Sequence, residues 1–93
     1  MKCYNLTMYF VYILECNDKT LYVGSTNNLE KRLHQHNNLK NGAHYTKIRR
    51  PVVIKYYENS PNISQARKRE AQIKRLKRDQ KLGLIINYNN KTN

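Results

Sequence analysis

The chain has 93 residues, which is enough for one compact domain and one hydrophobic core but too few for two. It carries 18 Lys and Arg against 6 Asp and Glu, so the formal net charge is +12 and a polyanion such as nucleic acid is the expected partner. No apolar run approaches the ~20 residues of a membrane-spanning helix, and no signal-like segment opens the chain. We therefore expect a cytoplasmic protein with no membrane partner.

The two cysteines, Cys3 and Cys16, can form at most one disulfide and belong to no CxxC pair. Free thiols in a reducing compartment are the simpler interpretation. A structural zinc site would have to use Cys16, His34, His36 and His44, whose spacing matches no common zinc pattern. Zinc is therefore disfavoured.

The first quarter of the chain predicts a flexible tail and a β-hairpin. Residues 1–7 are polar and aperiodic, which is typical of a tail. Residues 9–15 and 21–25 are short runs of β-branched and aromatic residues, which predict two strands. The turn-forming residues 17–20 lie between them, so the strands are expected to pair antiparallel, with Gly24 ending or bulging the second.

A helix is predicted next, because Asn27 and Glu30 have the spacing of a capping box. It should extend to about Asn38, with an inward face formed by Leu29, Arg32, Leu33 and His36. An inward arginine needs an anion. The alternative is that the Arg32 side chain extends past the edge of the core and that His36 is a hydrogen-bonded, semi-buried histidine.

The second half of the chain predicts a loop, a strand and two helices. Residues 40–51 lack helical periodicity and are expected to form a loop, and residues 52–58 are expected to form a third strand. The following helix can be capped by Asn62 or Ser64, and its apolar stripe is formed by Ile63, Ala66, Ile73 and Leu76. Gly83 is expected to end the last helix.

Glu70 is the only acidic residue between Glu58 and Asp79, and helical spacing places it inside the apolar stripe of the second long helix. This inward position favours a catalytic or metal-binding role. The alternative is a salt bridge to Arg67 or Lys74. The chain also has eight tyrosines, and strand packing is the usual role of Tyr12 and Tyr22 when each is considered alone.

Several segments, taken together and in order, resemble the GIY-YIG nuclease family. The sequence Phe10-Val11-Tyr12, followed ten residues later by Tyr22-Val23-Gly24, resembles its two half-motifs. Residues 28–32 resemble the segment that carries its helical arginine, residues 69–74 resemble its glutamate motif, and Tyr45-Thr46 with residues 49–51 resembles its small stand-alone bacterial branch. Phe10 and Val11 replace Gly and Ile, and Ser25 stands where some repair nucleases carry lysine.

The resemblance covers about residues 8–83 and implies an α+β fold: a small three-stranded antiparallel sheet flanked by helices, in the order β-β-α-β-α-α. We assign the domain to residues 8–85 and a frayed tail to residues 86–93. The implied function is hydrolysis of DNA phosphodiesters by an endonuclease in DNA repair or processing. A domain this small has little surface for recognising a long sequence, so we expect structure-selective or weakly sequence-selective cleavage. RNA is a possible alternative substrate, and the competing hypothesis is a non-catalytic nucleic-acid-binding module on the same scaffold.

The resemblance also implies roles for individual residues. Glu70 would hold one Mg²⁺ or Mn²⁺, and no small-molecule cofactor is expected. Tyr12 would take a proton from water, Tyr22 would position water or phosphate, Arg32 would bind the phosphoryl oxygens, and His36 would orient a tyrosine. The residues expected to contact nucleic acid are Gly24, Lys31, Lys47, Arg49, Arg50, Lys68, Arg75 and Arg78.

Overall fold

The computed structural model describes residues 8–38 and 44–92. Within these ranges three strands form one sheet, three longer helices flank it, and a one-turn helix lies between the first long helix and the last strand. The elements are β1 (Tyr9–Glu15), β2 (Leu21–Thr26), α1 (Leu29–Asn38), α2 (His44–Lys47), β3 (Val53–Ser60), α3 (Ile63–Lys74) and α4 (Arg78–Thr92). The predicted α+β class and element order are confirmed.

The sheet has the order β2-β1-β3, and both pairings are antiparallel. Strand β1 is therefore central, as its apolar sequence predicts for a strand covered on both faces. Tyr12 lies opposite Gly24 of β2 and opposite Tyr57 of β3. A register shift between Ile13 and Leu14 makes the β1–β3 pairing irregular.

Two small apolar clusters cover the two faces of the sheet, because successive side chains of a strand point to opposite faces. Val11 and Ile13 of β1 pack with Ala66 and Ile73 of α3 in one cluster. Tyr12 and Leu14 belong to the other cluster, with Val52 and Cys16. Residues from both clusters are almost fully inaccessible, so β1 joins the two halves of the core.

The hairpin matches the sequence prediction except at Gly24. Strand β1 has the predicted bounds, but β2 continues to Thr26, and its register with β1 is unbroken through Gly24. The prediction that Gly24 ends or bulges the strand was therefore wrong. A glycine is needed at this position of the strand because a side chain from β1 occupies the space that a Cβ would take.

The start of α1 lies one residue later than the predicted capping box. Asn28 Oδ1 accepts a hydrogen bond from the backbone N–H of Lys31 at 3.1 Å, so Asn28 caps the helix. Asn27 is exposed and outside the helix. Two consecutive asparagines can each serve as a cap, and the sequence alone did not distinguish them.

The segment predicted as a loop contains helix α2, which is a single turn, and residues 39–43 lie outside the described residues. The third strand begins at Val53 and extends to Ser60, two residues beyond its predicted end. At the start of α3, Asn62 is the cap, since its Oδ1 accepts from the N–H of Gln65 at 2.9 Å. Ser64 lies inside the helix.

The predicted stripe of α3 is only partly buried. Ala66 and Ile73 are fully buried, but Ile63, the first residue of the helix, is 42% exposed. Helix α4 continues through Gly83, so the prediction that this glycine ends the helix was wrong. The helix includes residues 86–92, for which the sequence predicts a frayed tail. The predicted tail at residues 1–7 lies outside the described residues.

Candidate functional site

Tyr12 lies at the centre of the sheet on the face covered by α1 and is only 2% exposed. Its ring crosses over Gly24 of the neighbouring strand. A Cβ at position 24 would lie 2.5 Å from the Tyr12 hydroxyl oxygen and 2.8 Å from the ring carbon that carries it. Glycine at this position therefore has a packing explanation, and the close approach fixes the orientation of the tyrosine.

His36 connects Tyr12 to the short helix α2. Its Nε2 lies 3.0 Å from the Tyr12 hydroxyl, its Nδ1 lies 2.8 Å from the Thr46 hydroxyl, and both His36 and Thr46 are fully buried. Either neutral tautomer satisfies both hydrogen bonds, because each hydroxyl can donate or accept. Both ring nitrogens are thus engaged by protein partners, which leaves no nitrogen of His36 for zinc.

The Tyr12–His36 pair is uncharged at neutral pH. Burial raises the pKa of Tyr12 to about 12, although a hydrogen bond from Arg32 and the positive charge of its guanidinium act in the opposite direction. Burial also lowers the pKa of His36 to about 4, and the charges of Arg32 and Arg50 add to this effect. Desolvation of the two side chains is therefore the dominant electrostatic effect here.

Arg32 and Tyr22 complete this side of the site. Arg32 is half-buried, donates a hydrogen bond from Nη1 to Gln35 Oε1 at 2.7 Å, and influences Tyr12 as described above. The Tyr22 ring packs edge-on against the His36 imidazole, with centroids 5.2 Å apart. Tyr22 is more accessible than Tyr12, so its hydroxyl is the better placed of the two to meet a ligand from solvent.

Glu70 extends from α3 to the edge of β2, where its carboxylate has two partners. Ser25 Oγ donates to Oε1 at 2.7 Å, and Lys74 Nζ lies 2.9 Å from Oε2. The Glu70 side chain is 20% exposed and that of Lys74 is 53% exposed. The inward orientation of Glu70 and its salt bridge to Lys74 therefore occur together, although the sequence presented them as alternatives.

The five residues expected to be catalytic are brought together by the hairpin. Tyr12 faces Gly24, Glu70 binds the next residue, Ser25, and the electrostatic influence of Glu70 reaches Tyr12. His36 and Arg32 belong to α1, which covers the face of the sheet opposite to α3. The sequence did not identify Thr46 as a partner of His36.

The donor set at Glu70 fits one kind of metal ion. Among the described residues there is no group of three or more His, Cys, Asp or Glu side chains able to enclose a metal. One carboxylate at the surface, with solvent on its open side, suits a hard cation that keeps most of its waters and takes further ligands from phosphate, as Mg²⁺ does. Such an ion would have to displace Lys74 from Oε2.

The cationic residues expected to bind nucleic acid fall into two groups. Two arginines have structural partners: Arg49 Nε lies 3.1 Å from Asp18 Oδ2, and Arg50 donates to the carbonyl oxygens of Gln35 and His36 at the end of α1. The others are exposed to solvent, and they are Lys31, Lys47, Lys68, Arg75 and Arg78. The sequence could not separate these groups because both kinds of side chain are polar and cationic.

Comparison with known families identifies this arrangement. The model of the GIY-YIG catalytic domain matches residues 8–83, which is most of the chain. The chain belongs to the GIY-YIG family. Members of this family are generally endonucleases that act on nucleic acid with a divalent metal ion, so the family indicates a nuclease-type function.

Similar GIY-YIG chains come from several bacteria. A UPF0213 protein of Syntrophus aciditrophicus is 58% identical over 76 residues, covering 82% of this chain and 87% of the relative. A UPF0213 protein of Clostridium perfringens is 54% identical over 78 residues, covering 84% of this chain and 83% of the relative. The names of these relatives give a family label and no reaction.

Solved structures support the same fold. The solution NMR structure of a protein from E. faecalis is 36% identical, has a TM-score of 0.63 and is aligned over 94% of this chain and 92% of its own. The UPF0213 protein of Bacillus halodurans is 33% identical, with a TM-score of 0.53 over 84% and 82% of the two chains. In the described part of this GIY-YIG chain, no helix has the length and apolar character needed to span a bilayer.

Proposed function

We propose that this GIY-YIG chain is a metal-dependent endonuclease that hydrolyses DNA phosphodiester bonds in DNA repair or processing. The main support is that Tyr12 packs against Gly24 and is hydrogen-bonded to His36 and Arg32, while Glu70 binds the next residue of the same strand, Ser25. The arrangement combines a hydroxyl with a proton acceptor beside it, a cation for phosphate and a carboxylate for metal. These are the groups that phosphodiester hydrolysis requires.

Glu70 is the proposed ligand of one Mg²⁺ or Mn²⁺. When bound, the ion would polarise the phosphoryl group and stabilise the departing 3′ oxygen. Ser25 holds the carboxylate in place through Oε1, which leaves Oε2 to exchange its partner. A metal held by Glu70 would take the place of Lys74 on Oε2, and the freed ammonium of Lys74 would be available to a phosphate oxygen.

Tyr12 is the proposed acceptor of the proton from the attacking water. Its pKa of about 12 means that only a small fraction is deprotonated at neutral pH, so the reaction depends on transient loss of the phenolic proton. The phenolic proton is lost to solvent. His36, 3.0 Å away and in the tautomer that carries its proton on Nδ1 and donates to Thr46, orients the Tyr12 hydroxyl. Arg32 would bind the phosphoryl oxygens, and Tyr22 would position water or phosphate.

Substrate binding is assigned to the solvent-exposed cations Lys31, Lys47, Lys68, Arg75 and Arg78. Contacts of this kind go to phosphates and carry no sequence information. A domain of 93 residues has little further surface for recognising a long sequence, so we expect selectivity for DNA structure or weak selectivity for sequence. Arg49 holds the turn at Asp18 in place, and Arg50 holds the end of α1. These two arginines are therefore secondary candidates for binding the substrate.

The test is cleavage of end-labelled single-stranded, nicked, flapped and duplex DNA at low salt, with Mg²⁺ or Mn²⁺ and with EDTA as the metal-free control. Glu70→Ala and Tyr12→Phe are expected to lower the rate at least a hundredfold, because one removes the metal ligand and the other the proton acceptor. Glu30→Ala, which changes an exposed carboxylate of α1, is the matched control and should cut at the wild-type rate.

The result distinguishes the nuclease from a non-catalytic binding module on the same scaffold. Wild-type protein that binds DNA without cutting it under any metal condition would establish the binding module instead. Equal cutting by wild type and both site variants would also contradict the proposal, since the activity would then come from elsewhere. Dependence on one duplex sequence would refute the expected structure selectivity, and cleavage of RNA alone would reassign the substrate.

A further inference from the structure

A cleft at the β3 edge of the sheet is not used by the proposed reaction. It measures about 300 Å³ and is lined by Tyr56, Tyr57, Glu58, Leu84, Asn87 and Tyr88. Strand β3 is an edge strand, and within residues 8–38 and 44–92 no strand pairs with its outer side. The cleft therefore lies where the open edge of the sheet meets α4.

Three aromatic rings define this cleft. The Tyr88 ring of α4 lies 5.7 Å, centroid to centroid, from both Tyr56 and Tyr57. Those two residues are consecutive in β3, so their side chains point to opposite faces of the sheet, and Tyr88 straddles the edge between them. Phe10 supports the Tyr57 ring from behind at 6.0 Å. The rings are thus held in position, while Tyr57 remains 38% exposed.

Polar groups accompany the rings. Glu58 accepts hydrogen bonds from the Tyr56 hydroxyl and from Arg69 Nε, the latter at 2.8 Å, so its charge is balanced and its position fixed. A carboxylate has about four acceptor sites, and these two bonds leave others for a ligand. The exposed amide of Asn87 offers both a donor and an acceptor. Aromatic faces with fixed polar groups at their rim match the chemistry of a nucleobase.

The position of the cleft relative to the candidate active site is also suitable. Tyr57 is the direct register partner of Tyr12, so the strand that lines the cleft is the neighbour of β1, and its backbone lies one strand spacing, about 5 Å, from that of Tyr12. The net charge of +12 identifies the larger partner as a polyanion. A volume of 300 Å³ is at the lower end of the range for ligand pockets, so one planar ring system fits better than a folded peptide.

We propose that this cleft binds one unstacked nucleobase of a single-stranded nucleic acid whose backbone extends towards the candidate active site. The proposal rests on the proposed function for the direction of the strand, but the binding itself requires no cleavage. Stacking on Tyr57 and Tyr88 tolerates any base, because every base has an aromatic face. Glu58 and Asn87 would favour bases that present amino groups.

The experiment measures fluorescence anisotropy of a labelled twelve-nucleotide single strand, as DNA and as RNA, and of the matching duplex, all in EDTA to prevent cleavage. Tyr88→Leu and Tyr57→Leu remove the ring but keep an apolar side chain. Each is expected to weaken single-strand binding by roughly ten- to a hundredfold, as loss of a stacked base does. Duplex affinity should stay within about twofold, and Tyr88→Phe and Tyr57→Phe, which keep the ring, should bind as wild type.

A second probe identifies the base as the group that is bound. A single strand with several consecutive abasic sites should bind wild type about as weakly as an intact strand binds Tyr88→Leu, and the variant should lose little further affinity on the abasic strand. Three results would each overturn the proposal. These are equal losses of affinity for single strand and duplex, equal affinities of the Leu and Phe variants, and a loss of affinity in Tyr88→Leu that is as large on the abasic strand as on the intact one. Duplex binding and the thermal unfolding midpoint show whether each variant is folded.

The outcomes also separate this proposal from the proposed function. If wild type never cuts but Tyr88→Leu loses single-strand affinity, the base-binding cleft stands and the nuclease assignment falls. If wild type cuts in the expected manner and the leucine variants bind single strands normally, the cleft is wrong and the nuclease stands. Comparable losses of affinity for DNA and RNA single strands would indicate that the cleft recognises the base alone. A loss of affinity for only one of them would show that the cleft also recognises the sugar.

Discussion

At the scale of single residues, burial sets the chemistry of Tyr12. Because burial raises its pKa to about 12, the deprotonated fraction increases tenfold with each pH unit throughout the neutral and moderately alkaline range. We therefore expect the logarithm of kcat/KM to rise with a slope near one from about pH 6.5 to 9.5, without a plateau. Steady-state cleavage assays test this, and a plateau near pH 8 would contradict Tyr12, with its pKa raised by burial, as the proton acceptor.

His36 makes folding sensitive to acid. Its pKa is lowered to about 4 in the folded protein, so between about pH 6.5 and pH 4 the unfolded chain binds the proton and the folded protein does not. Stability should therefore fall as the pH drops through this window, by up to about 3 kcal/mol for this residue. Urea unfolding at several pH values should show a shallower acid dependence for His36→Gln. His34→Gln, on the exposed side of the same helix, should retain the wild-type slope.

Lys74 occupies the carboxylate oxygen that the metal would need. Replacing it with glutamine removes the competing ammonium, so the Mn²⁺ concentration giving half-maximal cleavage should fall several-fold. Lys68→Gln removes an exposed lysine from the same helix and should leave this concentration unchanged. An unchanged metal requirement in Lys74→Gln would mean that the salt bridge and the metal do not share Glu70 Oε2.

At the scale of secondary-structure elements, Gly83 is a weak point in the middle of α4. Apart from the glycine's own chain neighbours and the adjacent backbone of α4, no atom of the described residues lies within 4 Å of the position that a Cβ would take, and the backbone there is helical. Gly83→Ala should therefore stabilise the protein by about 0.5–1 kcal/mol, through helix propensity and a less flexible unfolded chain. Chemical denaturation measures the change, and a lower stability would show that α4 is not a continuous helix in solution.

The same helix shows which elements the sequence could predict. Strong local patterns gave the right result: the β-branched run at residues 9–15 formed β1, and the spacing of Ala66 and Ile73 buried the correct face of α3. The prediction that α4 ends at Gly83 was wrong because a glycine costs a helix only about 1 kcal/mol. Contacts made by Tyr88 further along α4 outweigh that cost. Helix α2 was missed because a single turn has no periodicity to detect.

The site was predictable where a residue violates the pattern around it. Glu70 stood out as an acid within an apolar stripe, and the structure confirms its inward position. Thr46 did not stand out, because a threonine in a polar segment has no anomaly, and its importance arises from a contact with His36 that is ten residues distant. Long-range pairings of ordinary residues require the fold itself.

At the scale of the whole molecule, the charge of +12 should dominate the salt dependence of DNA binding. The logarithm of the association constant should fall linearly with the logarithm of salt concentration, with a slope of about −0.9 for each phosphate neutralised on duplex DNA. Lys68→Gln should reduce the magnitude of that slope by about 1. Lys55→Gln is the control, since this lysine lies on the sheet beside Glu15, and an equal reduction there would indicate nonspecific attraction by net charge alone.

The position of Tyr12 in the central strand has a consequence for how this domain can evolve. Tyr12 carries the candidate reactive hydroxyl, its ring occupies the space above Gly24, and the same ring packs between the sheet and α1. Selection for catalysis and selection for folding therefore act on the same atoms, and neither can be relaxed independently. Diversity among descendants of such a domain is then confined to its rim, where the exposed lysines and the open edge of β3 can change without disturbing the centre.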